Sequence, residues 1–107
     1  MTEFERDKEL IHKLNRETAK IGWSELQRFY AQGLVIAVAE GVDLIKVARS
    51  FANDDSPQVE AWLATGSVAR VVDDQAARWL AAGQVLWAVV VAPWVLVQEV
   101  KDGAGQR

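Results

Sequence analysis

Gln84 to Val100 reads QVLWAVVVAPWVLVQEV, and its conformation decides the fold. From Val85 to Val97 every residue is apolar. A helix crossing a bilayer needs about 18 or more such residues, so this run is too short and Pro93 interrupts it. Its valines favour extended chain, because a branched Cβ suits a pleated surface better than a helix. Read as strand, one face carries Leu86, Ala88, Val90, Ala92, Trp94, Leu96 and Gln98, and the other Val85, Trp87, Val89, Val91, Val95, Val97 and Glu99. Both faces are apolar, whereas a strand wet on one side alternates apolar with polar. Two covers satisfy this pattern: helices on each face, or helices on one face and a second subunit on the other.

Pro93 sets the path of the chain. A primed two-residue turn needs positive φ, which proline cannot adopt. A cis-proline turn at Ala92-Pro93 is one solution. The reading preferred from sequence is a single long, bent strand with Pro93 at an edge or bulge, its second half reaching toward a partner.

The preceding chain prepares this strand. Thr2 and Glu5 fit a capping box that opens a helix to about Lys20, with Phe4, Leu10, Ile11, Leu14, Thr18 and Ile21 on one stripe that Asp7 interrupts, and Gly22 closing it in a left-handed conformation. Ser24 with Gln27 opens a second helix to Gln32. Leu34–Ala39 reads as strand, and Asp43 caps a third helix to about Asn53. Ser56 and Pro57 start a fourth, ending at Gly66. Ser67–Val72 reads as strand, and Asp73 or Asp74 caps a fifth helix ending at Gly83. About twelve residues then separate the Val68–Val72 strand from Val85, near the lower limit for a parallel crossover.

Three segments align without gaps: LQRFYAQGLVIAV from Leu26, VEAWLATGSVARV from Val59 and AARWLAAGQVLWA from Ala76. Each places an aromatic (Phe29, Trp62, Trp79) four residues before a glycine (Gly33, Gly66, Gly83), with a valine two residues after it. This pattern predicts one device used three times: a short helix buries an aromatic, a glycine ends it, and the chain turns into a strand. The expectation is an α+β fold, with a small mixed sheet of three to four strands packed with about five helices. Residues 1–100 form one globular domain and 101–107 a flexible C-terminal tail. The expected core is Leu14, Leu26, Phe29, Val35, Val47, Trp62, Leu63, Val71, Trp79, Leu80, Val89 and Leu96.

Leu14-Asn15, Glu17-Thr18-Ala19 and Trp23, then Glu25-Leu26 leading to Phe29 and Gly33, and finally Trp87-Ala88-Val89-Val90 through Pro93-Trp94-Val95-Leu96-Val97-Gln98 resemble a bacterial family known as domain of unknown function 2288. The resemblance spans most of the chain outside its two tails. It implies a bacterial, cytoplasmic, single-domain protein and carries no activity, substrate or catalytic residue with it.

The chain has 107 residues, 50% of them hydrophobic, and a net charge of −3, which does not favour nucleic acid or an anionic membrane. It has no cysteine, which removes disulfides and thiolate chemistry and fits a reducing cytoplasm. The only histidine, His12, lies between Lys8 and Arg16 on its helix, which suits a solvated side chain better than a metal ligand. Asp54/Asp55 and Asp73/Asp74 precede helices and read as caps rather than paired acids. No metal or cofactor is expected. Asn15, Glu17 and Gln98 are the candidate ligand-binding residues, and Trp23, Trp87 and Trp94 the candidate interface residues. The leading functional expectation is a non-enzymatic interaction module, a homo-oligomer that associates through Trp87–Val100. The alternative is a small-molecule-binding protein or enzyme with a polar pocket near Asn15, Glu17 and Gln98.

Overall fold

Local hydrogen bonding starts most of the helices where the sequence predicts. In the computed structural model, which describes residues 2–100, α1 spans Glu3–Glu17 and opens with the capping box: the Glu5 amide donates to Thr2 Oγ1 and the Thr2 amide to Glu5 Oε1. The predicted tail, 101–107, lies outside the described residues. Asp7, which breaks the apolar stripe, pairs at 2.8 Å with Arg49 of α3 (Leu44–Ala52), and Asp43 caps α3 by accepting from the Ile45 and Lys46 amides.

Three expected caps are different. Asp55 caps α4 (Ser56–Thr65), as the Asp54/Asp55 pair suggested, while Ser56 is the first helical residue rather than the cap, with Pro57 in the first turn. Ser24 caps nothing, because Trp23–Leu26 is a 3-10 turn that runs into the short α2 (Gln27–Ala31). α5 (Asp73–Ala82) has no side-chain cap, since Asp73 and Asp74 are already inside its first turn. There they still oppose the positive end of the helix dipole. Asp73 accepts the Tyr30 hydroxyl instead, and that hydrogen bond holds the phenol above its ordinary pKa.

The repeated segment is one hydrogen-bonded motif in three copies. Gly33, Gly66 and Gly83 have φ of 75°, 80° and 60°. In each copy the residue after the glycine donates to the aromatic carbonyl: Leu34 to Phe29 at 3.0 Å, Ser67 to Trp62 at 2.9 Å and Gln84 to Trp79 at 2.9 Å. Each glycine amide donates to the residue after the aromatic, Tyr30, Leu63 or Leu80. This pair of bonds is the Schellman closure, which satisfies carbonyls that a helix end otherwise leaves free.

The sheet has five strands rather than three or four: β1 (Ala19–Gly22), β2 (Val35–Val38), β3 (Val68–Arg70), β4 (Val85–Val91) and β5 (Trp94–Glu99), in the order β1-β4-β5-β2-β3. The additional strand is Ala19–Gly22, which the apolar stripe assigned to the first helix. The helix stops at Glu17, Thr18 turns extended while its hydroxyl donates back to Leu14 O, and Ile21 pairs with Leu86 across β4. Gly22 is extended, with φ −76°, and closes no helix.

The valine stretch is two strands. Val91 faces Trp94 across a two-residue reversal in which Ala92-Pro93 is cis, with Pro93 at the third turn position that accepts such a bond. This overturns the single bent strand and its reach toward a partner. β5 instead fills the centre of the sheet, antiparallel to β4 and parallel to β2. β3 and β4 are not neighbours, so no crossover unit joins them; the parallel pair is β2–β5.

This chain's own helices pack on both apolar faces of the sheet, leaving Val85 and Val90 of β4 exposed. Leu96, Val89, Ile36, Val38 and Val68 pack with Leu14 of α1 and Leu44, Val47 and Ala48 of α3, and Trp62 of α4 joins them partly buried. Val95, Val97, Leu86 and Val35 pack on the other side with Trp23, Leu26, Ala76 and Trp79. Of the expected core, Phe29 and Trp62 are only partly buried, and Leu63 and Leu80 are 49% and 55% exposed. Each of these leucines directly follows an anchoring tryptophan and is turned about 100° around the helix from it, away from the sheet.

Candidate functional site

The parallel pair brings the C-terminal ends of β2 and β5 to one edge of the sheet, the end at which open sheets with parallel strands place ligands. The chain leaves β2 through Ala39–Val42 and enters α3 at its cap Asp43. Gln98, at the end of β5, fastens this connection: its Nε2 donates to Ala39 O at 2.9 Å and to Val42 O at 2.6 Å. Gly41, with φ 87°, lets the connection turn tightly there.

Against this edge lies a shallow, open depression of about 300 Å³. Asn15 and Thr18 enter it from the end of α1, Asp43, Leu44 and Ile45 from the start of α3, Trp87 from β4 and Gln98 from β5. Two further hollows of about 320 Å³ share Gln98 as a wall. Both also share Glu40 and Glu99; one adds Trp87 and Asp43, and the other Gln75 and Trp79. Trp79 Nε1 donates to Glu99 Oε2 at 2.9 Å, which fixes that carboxylate between them.

Of the three candidate ligand residues, Asn15 and Gln98 line one hollow and Glu17 does not. Glu17 is exposed at the last position of α1, two residues from Asn15 and so on another side of the helix. Asn15 Nδ2 donates back to Ile11 O. The three candidate interface tryptophans separate as well. Trp23 is 1% exposed and sits edge-on to Trp79 and Tyr30, at 5.1 and 5.4 Å, inside the second core. Trp94 is partly buried between Phe51 and Arg70. Trp87 is partly buried, carries the Lys20 ammonium 5.0 Å over its ring, and lines the hollow. Thr18 and Asp43 were legible as part of a helix stripe and as a cap, but nothing in their local pattern shows that they share a wall with Gln98.

His12 is exposed on α1 beside Phe4 and does not reach this edge. Among the described residues no group of three or more His, Cys, Asp or Glu side chains is placed to hold one metal ion, and no helix is long and apolar enough to cross a membrane. The site therefore consists of amides, a hydroxyl, carboxylates and an indole face, an arrangement suited to recognition by hydrogen bonding and stacking.

The architecture is similar to one solved in solution by NMR, that of PA1075 from Pseudomonas aeruginosa. The two chains share 42% sequence identity and superpose with a TM-score of 0.78, over 100% of this chain and 99% of that one. No curated protein matches the sequence. Residues 9–99 match the family described as protein of unknown function DUF2288, and the chain belongs to that family.

Proposed function

We propose that the protein is a cytoplasmic, non-enzymatic binding module that takes a small molecule in the hollow formed by Asn15, Thr18, Asp43, Trp87 and Gln98. The observation that carries this reading is the meeting of Asn15 and Gln98, far apart in the chain, on one preformed wall at the C-terminal end of the parallel strands. Both side chains are held by hydrogen bonds to backbone carbonyls, so neither must be ordered when a ligand arrives. The volume lies at the low end for ligand sites, which suits a metabolite of fragment size. A thermal-shift screen of small metabolites tests the reading: a binder raises the melting temperature of the wild type, and the rise is lost in Gln98→Ala and Asn15→Ala. If no compound raises it, or the rise persists in both variants, the reading fails.

Self-association is the second reading, and one observation favours it. β1 pairs with β4 only from Val85 to Ala88, so Val89–Val91 run past it, and Val90 there is 60% exposed. A second copy would gain from covering that segment, since an uncovered apolar strand edge invites pairing. Light scattering on a size-exclusion column decides: a clean monomer at tens of micromolar removes this support.

A further inference from the structure

The hollow sorts its polar atoms by direction. Gln98 spends its Nε2 on the two carbonyls of Ala39 and Val42. A nitrogen between two carbonyl oxygens cannot be exchanged for the amide oxygen, so Oε1 is left as the acceptor Gln98 can offer. Asn15 turns its Nδ2 back to Ile11 O at 3.0 Å, which leaves Oδ1, at the other end of the same amide, as an acceptor. Thr18 gives its one hydroxyl hydrogen to Leu14 O at 2.6 Å and keeps its lone pairs. Asp43 is the one charged side chain on this wall; its Oδ1 accepts the Ile45 and Lys46 amides, and its second carboxylate oxygen is the acceptor it can offer a ligand. Asn15 retains a second N–H and Trp87 its indole N–H, against acceptor oxygens on all four polar side chains. The adjoining hollows add Glu40 and Glu99 and no lysine, arginine or histidine. The Trp87 ring, which also lines the hollow, already accepts one cation on its surface, the Lys20 ammonium.

We infer that this hollow selects a small organic cation that donates hydrogen bonds, a primary ammonium with an aliphatic or aromatic body. The inference rests on the proposed small-molecule reading and names the class of ligand. The ammonium donates to Asn15 Oδ1, Gln98 Oε1 and Asp43, and the body packs on Trp87, Leu44 and Ile45. Such charge-assisted bonds are shorter and stronger than neutral ones, whereas an anion of equal size would face the Asp43 carboxylate and find donors at the second Asn15 N–H, the Trp87 indole and the Lys20 ammonium beside it.

The test is a proton–nitrogen NMR titration of the full chain with n-butylammonium chloride, butyrate and tetramethylammonium, read at the side-chain amides of Asn15 and Gln98 and the indole of Trp87. n-Butylammonium is expected to shift all three saturably, with an affinity at least about tenfold above that of butyrate or of tetramethylammonium, which carries charge but no N–H. Asp43→Asn keeps a side chain able to cap α3 and removes the charge, so the fold persists and ammonium affinity falls about tenfold. Butyrate binding as tightly at these residues, or ammonium affinity unchanged in Asp43→Asn, overturns the cation assignment and leaves the binding hollow standing. No shift at these residues from any of the three probes overturns both.

Discussion

Trp62 and Trp79 hold the same place in the repeated helix–glycine–strand motif, and the structure expects them to contribute very differently. Trp79 is 4% exposed, sits edge-on to Trp23 at 5.1 Å and donates to Glu99. Replacing a buried tryptophan by alanine costs about 3–5 kcal/mol, and an edge-to-face aromatic pair about 0.5–1.5 kcal/mol beyond area, so Trp79→Ala belongs at the top of the range. Trp62 packs on the first core only partly buried, on a helix with no buried residue. The cost of Trp62→Ala therefore falls to about half, roughly 1.5–2.5 kcal/mol. The difference, about 2 kcal/mol, corresponds to a separation of about 1 M between urea midpoints for a protein of this size. Urea titrations followed by far-UV circular dichroism measure it. Should Trp79→Ala not fold, Trp79→Phe keeps a ring in place and still loses the bond to Glu99. Coincident midpoints for Trp62→Ala and Trp79→Ala would refute the claim that burial, rather than position in the motif, sets the contribution.

Other expectations follow from the same geometry. Gly66→Ala and Gly83→Ala each cost about 1 kcal/mol, through left-handed φ alone, because a Cβ at either position meets no atom within 4 Å. Gly22→Ala, in extended chain, stays within about 0.5 kcal/mol of wild type in the same titration. Gln98→Ala removes two hydrogen bonds, to Ala39 O and Val42 O, and costs about 1–3 kcal/mol, with hydrogen exchange rising at the amides of residues 39–43. Tyr30 is the only tyrosine, so absorbance at alkaline pH reports it alone. Its phenol titrates above the ordinary value and returns toward it in Asp73→Ala. Because the folded pKa is raised, the stability this contact supplies is complete below the unfolded phenol pKa and is lost as pH rises through the folded one.

Several features set within a few residues were legible in the sequence, although Ser24, Ser56 and Gly22 do not play the local roles their patterns suggested. Thr2 with Glu5, Asp43, and the glycines at 33, 66 and 83 all act as local chemistry requires, because cap and Schellman bonds close over three to five residues. The family was legible from its aromatic and apolar motifs. Features set by distant pairing were not. Ala19–Gly22 carries a helical stripe, and only its partner β4 makes it a strand. Ala92-Pro93 fits either a bend or a reversal until β5 is seen to pair with both β4 and β2. Trp23 and Trp94 look alike in sequence, yet one is enclosed by Trp79 and Tyr30 while the other stays partly open. At the candidate site Asn15 and Gln98 share a wall with Thr18 and Asp43 while Glu17 lies outside it, and no local pattern shows this, because membership of a wall depends on which elements meet.

The strand order has a consequence for how the protein is made. β5 lies at the centre of the sheet, yet it is the last of the five strands to leave the ribosome. A nascent chain grown only as far as β4 holds β1 with β4 and β2 with β3, and no backbone pairing joins these two ribbons. Each then exposes the valine-rich edge that β5 later occupies, the kind of surface on which unfinished chains stick to one another or recruit chaperones. A message truncated before Trp94 should therefore yield two unjoined half-sheets and rapid proteolysis, whereas a few added residues bring the whole sheet together in a single late step.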